Sequence, residues 1–433
     1  MESNFRQPDS RTLQLQKLVN VLFWLINIGL LVMLFLLTWR DLPIPIVWKT
    51  VDWSLNRSDV KTLMVDGNGD PWFLVDRLFQ DDAYQLRHET AGKVTSWDLP
   101  SITFEEAQFV SIAKDKNDNP WLILGKRLAH WDGTQWIFVP MPLDADIKSF
   151  ICPSVVIKDS LVWGIDNATE QTRIVQLDLN QEPLQTQEIL LPDGLDSKQS
   201  RFHCIISNND GLLAVLSNDE QVAFFQLQNS EWQEITSFTK EQPLKVNDVA
   251  IDAKGQIWVV LILRSWPTGK PVGSYDPKEN TWTWLDIEQP ELNIKYIEYG
   301  HIAVDNFNRI WLSAKQYGPS TNVFSSSTFK ANAIGVYEES PDRSLVRIRQ
   351  YTTNNSSLET SSLSKIVIGP DGKIWTWNQQ VVWLDGNQQE LPQPLPDWFV
   401  ALTNLKVIIW WNVITLALLT VIVVIRIRIR RGR

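Results

Sequence analysis

The chain has few residues of the types that most often carry out catalysis or bind metal ions. Its 433 residues include only two cysteines and four histidines, His88, His130, His203 and His301. These histidines show none of the sequence spacings of metal ligands, and the chain contains no GxSxG, HExxH, phosphate-loop or histidine-kinase motif. We therefore predict no metal site and no cofactor, although a site assembled from residues distant in sequence would leave no such motif.

Positive charge is also scarce in the middle of the chain. Only 32 of the 40 basic residues lie between positions 40 and 406, against 48 of the 50 acidic residues, which gives this segment a net charge of −16. Nucleic acids and anionic lipid surfaces are polyanions and repel such a segment. The composition therefore argues against nucleic acid as a partner.

Charged residues are absent from two long apolar segments, residues 18–39 and 407–425. At about 1.5 Å per helical residue, their 22 and 19 residues would extend about 33 Å and about 28 Å, close to the hydrocarbon thickness of a bilayer. We predict two transmembrane helices that anchor the chain in the bilayer. A cleavable signal peptide is the alternative for the first segment, but its apolar run is long and no cleavage motif follows it.

Basic residues cluster near the two ends of the chain, before the first apolar segment and after the second. Three precede the first segment, and five arginines follow the second. By the positive-inside rule, both ends of the chain are cytoplasmic, as the tails 1–17 and 426–433. The sequence thus predicts a multi-pass protein of the bacterial inner (cytoplasmic) membrane whose middle segment is extracytoplasmic.

Between the apolar segments a short pattern recurs: aspartate, two residues, a turn-forming residue, one residue, an apolar residue and tryptophan. Seven copies of decreasing fidelity end at Trp72, Trp121, Trp163, Ala214, Trp258, Trp311 and Trp375. Each copy joins two alternating, strand-like segments through a turn. Successive copies lie 42 to 64 residues apart, which leaves room for about four short strands each. We predict an all-β fold, a seven-bladed β-propeller over residues 40–385, followed by a linker over residues 386–406.

The segments DAKGQIWVV, DNFNRIWLS and PDGKIWTW resemble the propeller repeats found in extracytoplasmic sensor regions of two-component regulators and in propellers of the streptogramin lyase type. The resemblance covers roughly residues 48–385. It implies a β-propeller fold and leaves the function open, because propellers host many activities. The lyase relatives imply an activity that needs a positioned base and usually a bound divalent ion.

The two ends of the repeat region complement each other. The seventh unit has three predicted strands and then a proline-rich segment, whereas residues 46–53, IVWKTVDW, match the fourth strand of the fifth unit. We predict that residues 46–53 pair with the last strand of the seventh unit. This pairing would close the ring and leave no exposed strand edge. One insertion, the polar stretch from Ser313 to Ala333, interrupts the sixth unit and is predicted to be a long loop.

Candidate site residues come from the position ten residues before each tryptophan position, near the start of each predicted first strand. This position is occupied by Thr62, Ser111, Pro153, Cys204, Asp248, His301 and Lys365. We predict a ligand-binding site at the mouth of the central channel, formed by Asp248, His301 and Lys365 with Glu298 and Tyr299 nearby. Asp248, His301 and Lys365 are also the only catalytic candidates. Solvated residues at the rim of a channel would give the same set.

The two cysteines, Cys152 and Cys204, fall in the predicted first strands of neighbouring units. They precede the tryptophan position by 11 and 10 residues, so regular alternation points their side chains to opposite faces. We predict two buried free thiols rather than a disulfide bond.

Three functions fit these features. The first is a sensory, recognition or scaffolding module with a membrane-protein partner, because the eight residues after the second apolar segment cannot hold a folded output domain. The second is a membrane-tethered lyase or hydrolase that uses the channel rim. The third is a polysaccharide-binding surface protein, suggested by the 22 tryptophans, although six of these are explained by the repeat. A small polar molecule or a glycan is the expected ligand.

Overall fold

The architecture is taken from a computed structural model of the chain. The structure describes residues 48–51, 58–77, 84–99, 110–114, 120–124, 127–131, 134–140, 155–158, 161–166, 173–178, 186–189, 201–208, 211–217, 221–228, 231–239, 245–262, 270–287, 296–319, 327–352, 356, 358, 365–377 and 381–394, and also residues 14, 21, 28, 29, 414, 418, 421, 424 and 425.

The strands are numbered in chain order. After β1 (Lys49–Thr50), the first sheet contains β2 (Ser58–Val65), β3 (Pro71–Arg77), β4 (Tyr84–Thr90) and β5 (Lys93–Asp98). The second contains β6 (Val110–Lys114), β7 (Pro120–Leu124), β8 (Arg127–Trp131) and β9 (Trp136–Pro140). The third contains β10 (Val155–Lys158), β11 (Leu161–Asp166), β12 (Arg173–Asp178) and β13 (Thr186–Ile189). The fourth contains β14 (Arg201–Asn208), β15 (Gly211–Ser217), β16 (Gln221–Gln228) and β17 (Glu231–Thr239).

The remaining strands follow the same order. They are β18 (Lys245–Ile251), β19 (Ile257–Ile262), β20 (Val272–Asp276), β21 (Thr281–Ile287), β22 (Tyr296–Val304), β23 (Ile310–Pro319), β24 (Ser327–Glu339), β25 (Ser344–Thr352), β26 (Ile366–Ile368), β27 (Lys373–Trp377) and β28 (Val381–Asp385). Strands β18 to β25 form one eight-stranded sheet in the order β18-β19-β20-β21-β25-β24-β23-β22. The last sheet has the order β1-β28-β27-β26.

The arrangement of these sheets is that of a β-propeller. Strands that follow one another in sequence pair antiparallel in groups of up to four, and the one exception within a described sheet is β21 with β22, so the chain meanders outward from a first strand in each group. The first strands neighbour one another in the order β2, β6, β10, β14, β18, β22 and β26, and β26 also neighbours β2. First strands that meet in a closed circle lie nearest the central axis. The predicted all-β propeller fold is confirmed at this level.

The predicted closure of the repeat region is also present. Strand β1 pairs antiparallel with β28, with Lys49 opposite Trp383 and Thr50 opposite Val382. Just before it, Trp48 is fully buried and packs edge-on against Tyr351, with ring centroids 5.7 Å apart. An N-terminal strand therefore completes the sheet formed by the C-terminal end of the repeats, which leaves β28 with a partner on both sides.

The repeated aspartate shapes the turn between the first and second strands. In three units one oxygen of its carboxylate accepts hydrogen bonds from the backbone N–H groups two and four residues later. For Asp252 the donors are Lys254 at 2.8 Å and Gln256 at 2.9 Å, and Asp66 and Asp305 make the same pair of bonds. The third residue after the aspartate position has positive φ, 80° at Gly255 and 60° at Asn308. Glycine and asparagine tolerate this conformation best, which explains the turn former in the pattern.

The tryptophan of the pattern is fixed by the same aspartate. The indole N–H of Trp258 donates to Oδ2 of Asp252 at 3.3 Å, and that of Trp311 donates to Oδ2 of Asp305 at 2.9 Å. Trp258 is 2% exposed and packs in one apolar cluster with Ile297 of the following repeat unit. These tryptophans therefore fill the space between sheets, as predicted from the repeat.

Two predicted segments differ in the structure. The polar stretch from Ser313 to Ala333 is not a simple loop, because β23 and β24 continue into it as a long hairpin in which Ala314 pairs with Ala333 and Pro319 with Ser327. Its serine, threonine and asparagine content predicts a loop, but strand propensity depends strongly on context, and here the pairing of β23 with β24 continues through the polar residues.

The first part of the predicted linker, residues 386–393, packs on the propeller. Leu391 is 4% exposed in an apolar cluster that contains Trp48. The hydroxyl of Tyr351 donates to the Pro392 carbonyl at 2.9 Å, and the guanidinium of Arg309 donates to the carbonyls of Gly386 and Gln388. The proline and glutamine content of this segment predicts a linker, and no local pattern in the sequence indicates these long-range contacts.

Several predictions lie outside the described residues. Cys152 is not described, nor is the side chain of Cys204, so the prediction of free thiols stays a prediction. Of the two apolar segments only isolated residues are described, and within the described part of the chain no helix is both long and apolar enough to cross a bilayer.

Replacing Trp258 with alanine should lower the free energy of unfolding by about 3–5 kcal/mol, because the change leaves a cavity between two sheets. The converse change, Ala214→Trp, should also destabilise, by about 1–3 kcal/mol, since Ala214 is fully buried and has no room for an indole. Urea titration of both variants measures these values. An unchanged midpoint in both variants would show that the residues at the tryptophan position of the repeat do not hold the propeller together.

Candidate functional site

Two of the predicted site residues meet across neighbouring first strands. Asp248 lies on β18 and His301 lies on β22, and Nδ1 of His301 is 3.1 Å from Oδ2 of Asp248. The same carboxylate oxygen accepts the backbone N–H of Ile302 at 3.1 Å. Asp248 is 3% exposed, whereas the His301 side chain keeps 14% of its surface accessible. The carboxylate thus orients an imidazole on the innermost layer of the propeller.

Irregular strand geometry makes this contact possible. Strand β18 has one extra residue, Asn247, relative to β19, and β22 has a similar bulge between Tyr299 and Ile302. The side-chain amide of Asn247 donates to the carbonyls of Tyr299 and Gly300, at 3.0 and 2.6 Å. It therefore satisfies carbonyl groups that the bulge removes from the strand ladder. Bulges re-aim side chains and are common next to functional sites.

The bulge is a repeated feature of the first strands. Strands β2 and β14 carry it at Lys61 and His203, both eleven residues before the tryptophan position. Asn247 has the same offset from Trp258. The residue after the bulge is the one that the sequence analysis selected, including Asp248. A regular alternation of inward and outward side chains therefore does not hold across this position.

Other predicted site residues have different surroundings. Tyr299 is 6% exposed within an apolar cluster, and its hydroxyl is hydrogen-bonded to Tyr337. Burial raises the pKa of Tyr299 well above its usual value, and the neighbouring Tyr337 adds to the shift. The structure therefore places Tyr299 in the core rather than at a ligand-accessible surface. Glu298 is partly exposed on β22, next to it in sequence.

Lys365 is the third titratable residue of the predicted set. It lies just before β26 and is partly exposed. Within the described part of the chain its side chain forms no ion pair or hydrogen bond, in contrast to His301 and Asp248. The structure thus joins two of the three predicted titratable groups and leaves Lys365 outside the pair.

A second polar cluster, in the first sheet, was missed by sequence reasoning. Asp66 and Asp70 lie at the two ends of the turn between β2 and β3, and His88 lies on β4 opposite Trp72. Nε2 of His88 is 3.3 Å from Oδ2 of Asp66, and its ring stacks on Trp72 with centroids 3.9 Å apart. Burial lowers the pKa of His88, although the neighbouring Asp66 carboxylate opposes the shift.

A signal for this cluster exists in the sequence but is indirect. The turn DGNGDPW has aspartate at both Asp66 and Asp70, whereas the fifth and sixth units have Gln256 and Arg309 at the second of these positions. His88 follows 22 residues after Asp66, a separation that depends on the length of the hairpin that joins β3 and β4. Only the strand pairing of Trp72 with His88 brings the three groups together.

Comparison with known proteins gives only distant similarities. No protein-family model and no curated protein sequence matches the chain. Similar solved structures include the extracellular domain of a one-component system protein from B. thetaiotaomicron, with 13% identity, a TM-score of 0.48 and coverage of 78% of this chain and 44% of that one. The GH74 xyloglucanase from Xanthomonas campestris has 9% identity, a TM-score of 0.48 and coverage of 81% and 55%.

A third similar structure is the WD40 domain of Neurospora crassa Pan2, with 10% identity, a TM-score of 0.45 and coverage of 80% of this chain and 98% of that domain. The matched part of this chain thus spans less than half of the bacterial extracellular domain and about half of the xyloglucanase. Likenesses of this distance indicate no ligand and no activity.

Replacing Asp248 with alanine should destabilise the propeller by roughly 1–3 kcal/mol, because the buried N–H of Ile302 and the imidazole of His301 both lose their acceptor. The matched control is Lys365→Ala, which removes a partly exposed side chain from the same repeat position and should change stability by less than about 0.5 kcal/mol. Denaturant titration of both variants checks this. Equal effects of the two substitutions would contradict the role assigned to Asp248.

Proposed function

We propose that this chain is a membrane-anchored β-propeller of seven blades that serves as an extracytoplasmic recognition or scaffolding module of a membrane complex. The observation that carries the proposal is the pairing of β1 with β28. It places the first and last strands of the propeller side by side, so that the apolar segments 18–39 and 407–425 connect to one sheet. A ring held at one sheet leaves the loops of the other sheets available to a partner.

The number of blades depends on how the eight-stranded sheet is divided. Strands β21 and β25 pair in parallel, over two residues each, Asp286–Ile287 with Ser344–Leu345. A propeller blade is a four-stranded antiparallel meander, so β18–β21 and β22–β25 count as two blades in this proposal. With the five four-stranded sheets they make seven, the number of sequence repeats.

The described residues of the apolar segments support a location in lipid. Those within residues 18–39 and 407–425 are helical, and apart from the partly exposed Ile425 their apolar side chains are exposed, with Val21 at 57%, Ile28 at 53% and Val421 at 54%. Exposed apolar side chains along a helix are unfavourable in water and favourable in a bilayer. The acidic propeller and the basic chain ends fit an extracytoplasmic ring with cytoplasmic tails.

We assign the recognition face from the strand ends of the propeller itself. The chain enters before Lys49 and leaves after Asp385, which pairs with Lys373 at the turn formed by Gly372. In the fifth unit the corresponding turn contains Lys254. The opposite strand ends, near Lys270, form the face that we assign to recognition.

Two lysines beyond opposite ends of β19 test this arrangement. Lys254 and Lys270 are both exposed. In a full-length chain whose native cysteines are replaced by serine, Lys254→Cys and Lys270→Cys are treated with a membrane-impermeant maleimide on intact spheroplasts. On this proposal both should react, and Cys at position 270 should react faster, because position 254 lies on the face at which the chain enters and leaves the propeller.

The outcomes separate the two parts of the proposal. If neither cysteine reacts until the membrane is permeabilised, the extracytoplasmic location is wrong. If position 254 reacts faster than position 270, the assignment of faces is wrong.

Recognition itself is tested by crosslinking in living cells. A photoreactive amino acid at position 298, next to the Asp248–His301 pair, should yield an adduct of discrete mass, and the same residue at position 254 should not. Adducts at neither position, or equally at both, would remove the support for a recognition face.

A further inference from the structure

The first unit of the repeat departs from the arrangement seen in the fifth and sixth. In those units the indole N–H of Trp258 and of Trp311 donates to the aspartate six residues earlier. In the first unit His88 lies beside that carboxylate instead, and the indole N–H of Trp72 is buried and has no acceptor within the described residues. A buried N–H without an acceptor is destabilising. The indole N–H groups of Trp121 and Trp375 also lack an acceptor within the described residues, so the departure that matters here is the position of His88 beside the Asp66 carboxylate.

Three groups with metal-binding atoms converge at this place. One carboxylate oxygen each from Asp66 and Asp70 and one ring nitrogen of His88 all lie within 4.8 Å of one another. Asp66 is 4% exposed, and the other two side chains are partly buried. Asp70 is not needed for the turn, since Gln256 occupies the same position in the fifth unit with the same backbone bonds. Its carboxylate therefore needs another explanation.

The imidazole of His88 is held in an orientation that suits a metal ligand. Its ring lies flat on Trp72, with an interplanar angle of 10°, and its Nδ1 is 3.4 Å from Oγ1 of Thr90. In one tautomer Nε2–H donates to Asp66. In the other, Nδ1–H donates to Thr90, and the Nε2 lone pair faces two carboxylates. Ligating histidines commonly donate the second ring N–H to a neighbouring oxygen in this way.

The distances also fit a small divalent cation. Oδ1 of Asp66 accepts two backbone N–H groups, which leaves Oδ2 as its metal-binding atom, 3.3 Å from Nε2 of His88. Zinc binds nitrogen and oxygen at about 2.0–2.1 Å in a tetrahedron, so two ligand atoms on the same ion lie about 3.3 Å apart. Imidazole with carboxylates is a donor set that suits zinc and similar transition metals better than calcium or magnesium.

We propose that Asp66, Asp70 and His88 bind a divalent metal ion of the zinc type. The ion would link the β2–β3 turn to β4 and thereby tie three strands of the first sheet together. Trp72 would hold the imidazole of His88 in place by stacking on it. Its indole N–H would be available to a water molecule in the remaining coordination position. This site lies in a different sheet from Asp248 and His301 and does not depend on the proposed recognition function.

The test uses the full-length protein without a histidine tag, purified in detergent, stripped of metal with a chelator and carrying serine at both cysteine positions. Titration calorimetry with Zn²⁺ should give one site per chain, and Zn²⁺ should raise the midpoint of thermal unfolding. Asp70→Asn and His88→Gln should each weaken Zn²⁺ binding by more than about tenfold. Asp70→Asn should leave the midpoint of the metal-free protein unchanged, because the turn does not use that carboxylate.

The matched control is His130→Gln. His130 stacks on Trp121 with centroids 4.5 Å apart, in the same strand pairing as His88 with Trp72, but Asn119 replaces the second aspartate there. This variant should bind Zn²⁺ like the parent. Absence of Zn²⁺ binding in the parent, retention of binding in Asp70→Asn and His88→Gln, or equal loss in His130→Gln would each overturn the proposal.

Discussion

The carboxylate of the repeated aspartate organises this propeller. One of its oxygens holds the backbone of the turn between the first and second strands, and in the fifth and sixth units the other holds the indole that fills the gap to the next sheet, as in Asp252 with Trp258. A single side chain thus joins local structure to packing between sheets. These hydrogen bonds are strong because their acceptor is a buried, charged carboxylate and several N–H donors converge on it.

Closure of the ring depends on a different set of contacts, which involve residues far apart in sequence. Arg309 is 2% exposed, yet its charge is compensated by Asp305 and by the carbonyls of Gly386 and Gln388. An uncompensated buried guanidinium would be strongly destabilising. Arg309 therefore anchors the segment that leaves the propeller, while Trp48 packs at the point where the chain enters it.

The two candidate sites depend on different features of the repeat. Asp248 and His301 meet at a bulge that several first strands share, whereas His88 takes the place beside Asp66 that an indole occupies in the fifth and sixth units. Side chains that follow the pattern shared by the units are explained by the fold and need no ligand to account for them. Departures that leave polar groups buried or re-aimed are the positions at which a functional role is expected.

The sequence by itself determined the propeller, the turn chemistry and the pairing of the chain ends, because these follow from local patterns: alternation, turn formers and a strand without a partner. It also selected Asp248 and His301. Only the tertiary structure decided that these two residues touch and that Tyr299 is buried. It also decided that residues 314–319 form a hairpin with residues 327–333, and that His88 lies next to Asp66 and Asp70. Bulges and strand register set these contacts, and both depend on packing between sheets rather than on any short stretch of sequence.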